Sequence, residues 1–254
     1  MIKDSHIYIY NDTFISLLNL IAKLLKDKLL PENIKNTYYE PNLLDNLFYL
    51  ELSDNQEIVS FFIKKIGRRN VSIVYKVFLS NHQDKELLIY HYILYSFKYG
   101  ENTIYRKDLD EVTLALKISK HTGYEAHKLK GFTRFKELEN NVLYAEINPD
   151  NDILFFLSIH FKKRLPNEYW IIKDVTHDIY SIYNKEDFII VPCSEFHLST
   201  NITSEREELF DKMWRTFYQT IGIKERKNDR CRMNFMPKKY WKYITEMSDE
   251  LWKK

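Results

Sequence analysis

The chain has 254 residues, of which 44% are hydrophobic and 29% charged, as expected for a soluble globular protein with a sizeable core. It has only 5 glycines, none clustered, which excludes the glycine-rich loops of nucleotide-binding sites and the nucleophile elbow. Its two cysteines, Cys193 and Cys231, exclude paired-cysteine redox, zinc-ribbon and iron–sulfur motifs and favour a cytoplasmic location. We expect neither a secretion signal nor a membrane-spanning helix, because no apolar run approaches about 18–20 residues.

The net charge of +2 is unevenly distributed. Residues 37–63 contain five acidic residues and no Lys or Arg, whereas residues 117–136 contain six basic residues and one acidic residue. Residues 224–242 contain eight basic and two acidic residues. Two basic segments in a near-neutral chain indicate a surface for a polyanion, and solvated helix faces are the alternative interpretation.

The first half of the chain is predicted to form a short strand followed by helices. His6–Tyr10 is rich in β-branched and aromatic residues, and the apolar stripe from Phe14 to Leu25 predicts a helix. Helical periodicity continues from Ser53 to about His127, with Gly100 ending one of the helices. We therefore expect a strand–helix segment at residues 1–52 that packs on the core, and a helical region at residues 53–128.

The pattern changes to strand-like alternation after Gly131. Residues 132–138 and 142–147 predict one β-hairpin, and residues 169–174 and 179–183 predict another, with a further strand at 188–191. A helix is predicted at 153–164, and a second follows a capping box at Ser204, with an apolar face formed by Leu209, Phe210, Met213, Trp214, Phe217 and Ile221.

These patterns predict an α+β fold, in which an antiparallel sheet built from β-hairpins packs with helices and a helical insert of several helices is added. Residues 129–254 are expected to form the α+β core, with a basic C-terminal tail.

The first candidate site lies at residues 125–135. Basic side chains of this segment are candidates for phosphate contacts: Lys128, Lys130 and Arg134. On a strand, Phe132 would share a face with Arg134 and could stack on an unpaired base, although a buried phenylalanine is the more ordinary interpretation.

His127 is the candidate general acid or base of the chain. Its partner would be Glu125, with Glu137 or Glu146 as alternatives, because a histidine beside a carboxylate titrates near neutral pH. A structural hydrogen-bonding role is the competing interpretation. Asp174 and His177 flank a predicted turn, where this residue pair more often stabilises the turn than forms a catalytic dyad.

The second candidate site is the basic segment 224–242. We predict that its cations bind phosphates: Arg226, Arg230, Arg232, Lys238 and Lys239. The rings of Tyr240 and Trp241 are predicted to stack on bases. Arg164, at a predicted helix end, could extend this surface. The alternative is a solvated loop whose aromatic residues dock on the core. The eight histidines show no metal-ligand spacing, so no metal and no cofactor are predicted.

Several motifs of the chain resemble a bacterial family of DNA-metabolism proteins associated with DNA repair. Resemblance is carried by residues 125–135 (EAHKLKGFTRF), 144–147 (YAEI), 170–172 (WII) and 236–242 (MPKKYWK). Members of that family are encoded beside a radical SAM protein, and their core domain also occurs fused to uracil-DNA-glycosylase-like domains.

The resemblance implies a role in DNA repair with a radical SAM protein as partner. Since the chain lacks a cysteine triplet, it is not itself the radical enzyme. The sequence leaves three hypotheses: a DNA-binding accessory protein, an enzyme that acts on DNA or a nucleotide through His127, and a scaffold for the radical SAM partner.

Overall fold

The computed structural model describes residues 2–43, 45–49, 55–138, 141–196, 205–221, 223, 226 and 228–247. The chain divides into two compact units, residues 1–123 and residues 124–254. Ser204, the predicted N-cap of the late helix, lies outside the described residues.

The N-terminal unit begins with short parallel strands around one helix. Its elements are β1 (Ile2–Lys3), β2 (Ile7–Tyr10), α1 (Phe14–Lys26), β3 (Leu29–Leu30), β4 (Asn33–Asn36) and β5 (Leu47–Tyr49). Strand β2 lies between β4 and β5 and is parallel to both, and β1 pairs with β3, also in parallel. Helix α1 begins at Thr13, whose hydroxyl accepts a hydrogen bond from Ser16 N at 3.1 Å.

The rest of the N-terminal unit is helical, as predicted. It contains α2 (Ile58–Ile66), α3 (Arg68–Phe78), α4 (Lys85–Tyr99), a 3₁₀ segment (Gly100–Tyr105) and the first half of α5 (Asp110–Phe132). The core contains fully buried side chains from β4 and from helices α1, α2 and α4, including Leu17, Leu20, Ile21, Leu24, Ile34, Phe62 and Tyr90.

Asn70 forms a buried polar link inside this core. Its side-chain amide donates to the carbonyls of Ile66 at 2.7 Å and of Gly100 at 3.0 Å. Its carbonyl accepts a hydrogen bond from the Tyr92 hydroxyl at 2.7 Å. Asn70 therefore connects α3 to the end of α2, to α4 and to the 3₁₀ segment, in a place from which water is excluded.

The C-terminal unit contains a five-stranded mixed sheet. Its elements after α5 are β6 (Lys136–Glu137), β7 (Leu143–Ile147), α6 (Leu154–Arg164), β8 (Trp170–Asp174), β9 (Ile179–Tyr183), β10 (Phe188–Pro192), α7 (Glu205–Ile221) and α8 (Asp229–Phe235). Two 3₁₀ segments, Lys238–Tyr243 and Thr245–Met247, follow α8. The strand order is β10-β9-β8-β7-β6.

The α+β class is confirmed, but the expectation of an antiparallel hairpin sheet is wrong. Both predicted hairpins exist, as the antiparallel pairs β6–β7 and β8–β9. Strands β7 and β8, however, run parallel, because helix α6 carries the chain back across the sheet between them. The N-terminal sheets are parallel throughout for a related reason, since α1 separates β2 from the strands that follow it.

The predicted strand 132–138 is also shorter than expected. Helix α5 continues to Phe132, and Thr133 N still donates to Leu129 O at 3.0 Å. Gly131 lies inside this helix, and the strand begins only at Lys136. Phe132 and Arg134 therefore do not project together from a strand.

The two faces of the mixed sheet differ. One face packs under α6 and buries Trp170 and Ile172 completely. The other carries Lys136, Tyr144 and Glu146 along β6 and β7, because alternate strand residues share a face. Among the described residues, no helix is both long and apolar enough to cross a membrane.

Asn70→Ala should destabilise the protein by about 2–4 kcal/mol, because the Tyr92 hydroxyl and the Ile66 carbonyl lose their hydrogen bonds to Asn70 and the Gly100 carbonyl keeps only the one from Thr103. Chemical denaturation followed by circular dichroism measures the loss. The exposed Asn102 provides the control, Asn102→Ala. Equal effects of the two substitutions would contradict the structural role of Asn70.

Candidate functional site

The C-terminal unit contains a buried polar network around Glu125. Glu125 lies on α5 and is 6% exposed. Its Oε1 accepts hydrogen bonds from Asp150 N at 2.8 Å, from the Tyr240 hydroxyl at 2.8 Å and from Lys239 Nζ at 3.2 Å. Its Oε2 accepts from Asn151 N at 3.0 Å and from Asn151 Nδ2 at 2.5 Å. Lys239 also forms an ion pair with Asp150.

The network holds Glu125 in its charged form. Burial by itself would raise the pKa of Glu125, but the donors from Asp150, Asn151 and Tyr240 and the charge of Lys239 outweigh it, and the pKa lies below its usual value. Burial and the adjacent Glu125 carboxylate raise the pKa of Tyr240. The tyrosine is therefore a hydrogen-bond donor and the glutamate an acceptor, and no proton is shared between them at neutral pH.

The fold thus brings together residues from both candidate sequence sites. Lys239 and Glu125 are 114 positions apart in the chain and in direct contact. Two carboxylates surround the ammonium group of Lys239, so its charge is largely neutralised by ion pairs within the protein. The structure assigns Lys239 to the polar network rather than to an open phosphate-binding surface.

The expectation that Tyr240 and Trp241 are exposed stacking planes is wrong. They are 4% and 5% exposed, and both pack in the core of the C-terminal unit. Trp241 Nε1 donates to Met236 O at 2.9 Å, and the Tyr240 ring lies 5.9 Å from that of Phe132. Large aromatic surface is more stable inside the core, and each polar atom finds a partner there. The alternative interpretation, that these aromatics dock on the core, is confirmed.

His127 is exposed on α5 and does not form a pair with Glu125. Two residues separated by two positions point to opposite sides of a helix. Glu125 therefore faces the buried network while His127 faces solvent. The predicted acid–base pair of these residues is not assembled by the fold.

Asp174 and His177 form a carboxylate–imidazole pair where the parallel strands β7 and β8 end. Asp174 is completely buried, and its Oδ2 lies 2.7 Å from His177 Nδ1. The Asp174 side chain also accepts hydrogen bonds from Thr176 N at 2.9 Å and His177 N at 3.2 Å, which stabilises the turn. The hydrogen bond with Asp174 raises the pKa of His177, against the effect of burial. This pair combines turn stabilisation with an oriented imidazole.

The remaining predicted cations lie in separate places. Lys130 and Arg164 lie near His160, where burial and their two positive charges lower the pKa of the imidazole. Arg232 and Lys238 lie over the Trp241 ring, at 4.9 Å and 5.9 Å from its centroid.

The Lys128 ammonium group lies 5.9 Å from the centroid of the Tyr124 ring, which is about one turn earlier on α5. Arg226 and Arg230 are exposed. Lys224 and Lys227, which contribute to the charge of the second basic segment, lie outside the described residues.

A pocket of about 230 Å³ opens on the sheet face opposite α6, between strands β6 and β7 and the C-terminal 3₁₀ segments. Its charged and aromatic lining consists of Arg134, Lys136, Tyr144, Glu146, Lys242 and Tyr243. We call this the basic pocket. Because Arg134 is paired with Glu246, Lys136 and Lys242 are the cations that outnumber Glu146 in the lining, and the pocket favours an anionic ligand.

The cations of the basic pocket differ in how many contacts fix their side chains. Arg134 donates to Gly131 O at 2.7 Å and forms a 3.0 Å ion pair with the nearly buried Glu246. Lys136 and Lys242 are exposed. Glu146 accepts a hydrogen bond from the Tyr144 hydroxyl at 2.8 Å, which fixes the one carboxylate of the lining. Arg134 is therefore preorganised, whereas Lys136 is exposed and the Lys242 ammonium group lies 4.7 Å from the centroid of the Tyr243 ring.

Arg134 is a site residue that the sequence predicts, whereas Lys136 and Lys242 are not among the predicted site residues. The β6–β7 register, which pairs Lys136 with Tyr144, places Lys136 on the pocket face. The position of Lys242 in the second basic segment marked it as a possible site residue. Its contact with the pocket beside β7 depends on long-range packing, which the sequence pattern does not show. Among the described residues, no group of three or more His, Cys, Asp and Glu side chains could hold a metal ion.

The family described as a domain of unknown function (DUF4130) matches residues 83–246. The match includes the polar network, the Asp174–His177 pair and the basic pocket. No curated protein and no solved structure matches the chain.

Glu125→Ala should lower the free energy of unfolding by about 3–5 kcal/mol, because it leaves Lys239 and several buried donors without their acceptor. In the wild type, the stabilisation from ionised Glu125 should be present above its usual pKa of 4.5 and lost as the pH falls through the lower pKa of the folded state.

Denaturation at a series of acidic pH values tests this prediction, with Glu125→Gln as the neutral variant and the exposed Glu168→Gln as the control. An acid dependence that Glu125→Gln leaves unchanged would contradict it.

His177→Gln should destabilise the protein in a pH-dependent way. Because the folded state raises the pKa of His177, its charged form adds stability below the usual value of 6.5, and this stability is lost as the pH rises through the folded-state pKa. The difference from wild type should therefore shrink between mildly acidic and alkaline pH in unfolding titrations. His127→Gln, an exposed histidine of the same unit, is the control. The same pH profile in both variants would refute the prediction.

Proposed function

The chain belongs to the DUF4130 family, and we propose that it is a DNA-binding protein that contacts the phosphate backbone through its basic pocket. We further propose that it acts in DNA repair together with a radical SAM protein. The pocket carries the first proposal, and the sequence resemblance supports the second.

The lining of the basic pocket matches the chemistry of a phosphodiester. Arg134 supplies a guanidinium fixed in place by Glu246, and Lys136 and Lys242 add two exposed ammonium groups. Guanidinium and ammonium groups are the main partners of nucleic-acid phosphates. A volume of about 230 Å³ lies below the roughly 300–1,000 Å³ of sites for drug-sized ligands, so the pocket suits one phosphate or one nucleotide unit.

The burial of the aromatic rings of the two motifs indicates that DNA binding would depend on phosphate contacts and not on base stacking. Tyr240 and Trp241 are buried, and Phe132 packs against Tyr240, so none of the three rings is an open stacking surface. Binding then depends on phosphate contacts, which release counterions and weaken strongly with salt. We expect low sequence specificity for the same reason, because phosphate contacts position a nucleic acid without reading its bases.

The DNA-repair context rests on the motifs at residues 125–135 and 236–242. In this chain those motifs build the polar network, which contains Glu125, Lys239 and Tyr240. The network holds the 3₁₀ segment that also carries Lys242 of the basic pocket. The motif residues thus support the geometry of the pocket, although most of them do not line it.

An enzyme remains the second candidate function, with a different histidine. His127 is exposed and unpaired with Glu125, whereas His177 is oriented by the buried Asp174. A carboxylate that fixes one imidazole nitrogen leaves the other for acid–base chemistry. Loss of DNA turnover in His177→Gln, with the fold and DNA binding intact, would favour this candidate.

Lys136→Ala/Lys242→Ala should weaken DNA binding about 10–100-fold, since it removes two charge-assisted phosphate contacts. The slope of log affinity against log salt concentration should decrease by about 2. Fluorescence anisotropy with single-stranded, duplex and uracil-containing DNA over a salt series provides both quantities.

The matched control is Lys162→Ala/Lys185→Ala, which removes the same charge from a different part of the C-terminal unit. This control variant should bind DNA almost as the wild type does. Absence of wild-type binding at low salt, or equal losses in the two double variants, would overturn the proposed function.

A further inference from the structure

Lys130, His160 and Arg164 form a cluster of basic side chains where α5 packs beside α6. His160 and Arg164 are four positions apart on α6, so they share one face of that helix. Lys130 lies in the last turn of α5, next to the buried Leu129, which belongs to the same core cluster as Phe161 of α6. The charges of Lys130 and Arg164 both act on the His160 imidazole. The packing of the two helices therefore brings the three side chains together.

The cluster contains positive charge without a carboxylate to balance it. Within the described part of the chain, the side chains of Lys130 and Arg164 form no ion pair and no hydrogen bond. Lys162, in the same turn of α6, differs from them, because its ammonium group lies 2.9 Å from Asp187 Oδ1. Burial and the two neighbouring cations hold the pKa of His160 below its usual value, which favours the neutral imidazole at neutral pH.

The imidazole of His160 also has an unsatisfied nitrogen. Its Nε2 is buried and has no hydrogen-bond partner among the described residues. A buried polar atom without a partner costs free energy, and so does the placement of two cations beside an imidazole. An anion between Lys130 and Arg164 would remove both costs, since it would neutralise the cations and give the protonated imidazole an acceptor.

The dipole of α6 explains only part of this arrangement. Cations in the last turn of a helix are stabilised by its terminal carbonyl groups, which accounts for Lys162, Lys163 and Arg164. It does not account for Lys130, which comes from a different helix, or for the unsatisfied nitrogen of His160. The cluster therefore has the properties of an anion site.

We propose that Lys130, His160 and Arg164 form a second phosphate site, outside the basic pocket, and that its ligand is a phosphate monoester. Two permanent cations match the charge of a monoester dianion, whereas an internal phosphodiester of DNA carries one negative charge. Protonation of His160 on binding adds a third positive charge.

The phosphate monoester has two sources. Lys130 precedes Arg134 of the basic pocket by four residues, so both sites adjoin the C-terminal end of α5. The terminal phosphate of a DNA strand bound in the basic pocket is the first source, and this assignment rests on the proposed function. A small phosphate ester is the second source and does not require DNA binding.

Methyl phosphate and dimethyl phosphate are the probes for the charge preference of the site. Nuclear magnetic resonance of the His160 side chain in the full chain detects binding beside the imidazole. Saturating methyl phosphate should raise the pKa of His160 by about one pH unit, because a dianion then lies next to the ring. Dimethyl phosphate should bind about tenfold more weakly, since it carries a single charge.

Lys130→Gln/Arg164→Gln should weaken the binding of methyl phosphate about 10–100-fold, because it removes both permanent cations. The matched control is Lys162→Gln/Lys163→Gln, which removes the same charge from the last turn of α6. None of these four side chains is buried, so both variants should keep the circular dichroism spectrum and melting temperature of the wild type.

DNA strands with and without a terminal phosphate distinguish the two sources. If a strand end is the ligand, removal of the terminal phosphate should weaken binding to the wild type about tenfold and leave binding to Lys130→Gln/Arg164→Gln unchanged. If the terminal phosphate has no effect while methyl phosphate still binds, the ligand is a small phosphate ester.

A failure of the basic pocket and a failure of the second phosphate site give different results. Lys136→Ala/Lys242→Ala should leave the response of His160 to methyl phosphate unchanged, whatever its effect on DNA binding. A pKa of His160 that methyl phosphate does not change would overturn the second site. Equal binding of the two esters, or equal losses in Lys130→Gln/Arg164→Gln and its control variant, would also overturn it.

Discussion

The C-terminal unit depends on one buried carboxylate, Glu125. Five hydrogen bonds or ion pairs converge on it from the loop after β7 and from the C-terminal 3₁₀ segment. A buried charge is stable only when such donors replace the water that it loses. The segment at residues 238–243 is consequently fixed against α5, and Lys242 on that segment reaches the pocket. The network has a structural role, and ligand binding is proposed for the sheet face beside it.

The mixed sheet gives the unit two different faces. Helix α6 crosses between β7 and β8 and covers one face, which fills with Trp170 and its neighbours. The opposite face buries a smaller apolar cluster with Ile171 and Tyr180 and carries charged residues near its edge, including Lys136 and Glu146. An all-antiparallel sheet with hairpin connections would not require a covering helix between these strands. The parallel pair therefore explains why α6 covers one face of the sheet.

Much of the local structure could be predicted from the sequence, whereas most of the site could not. Periodicity identified β2, α1, α6 and the β8–β9 hairpin, since these patterns depend on neighbouring residues. It placed the start of β6 at Phe132 instead of Lys136, because three or four residues are too few to distinguish the end of a helix from the start of a strand. It predicted the apolar residues of α7 correctly, but the face that the helix turns to its own unit is polar. Which face packs inward depends on the partners available in the fold.

The sequence by itself determined the α+β class, the two basic segments and the absence of clustered-glycine motifs. Each of these follows from composition or from spacing along the chain. Tertiary structure alone decided that Lys239 and Tyr240 meet Glu125, that Trp241 is buried, and that Asp174 orients His177. It also decided that Lys136 and Lys242 line one pocket. The physical reason is that folding removes water from particular polar groups. Those buried groups are stable only with hydrogen-bond partners, which the fold supplies from distant parts of the chain.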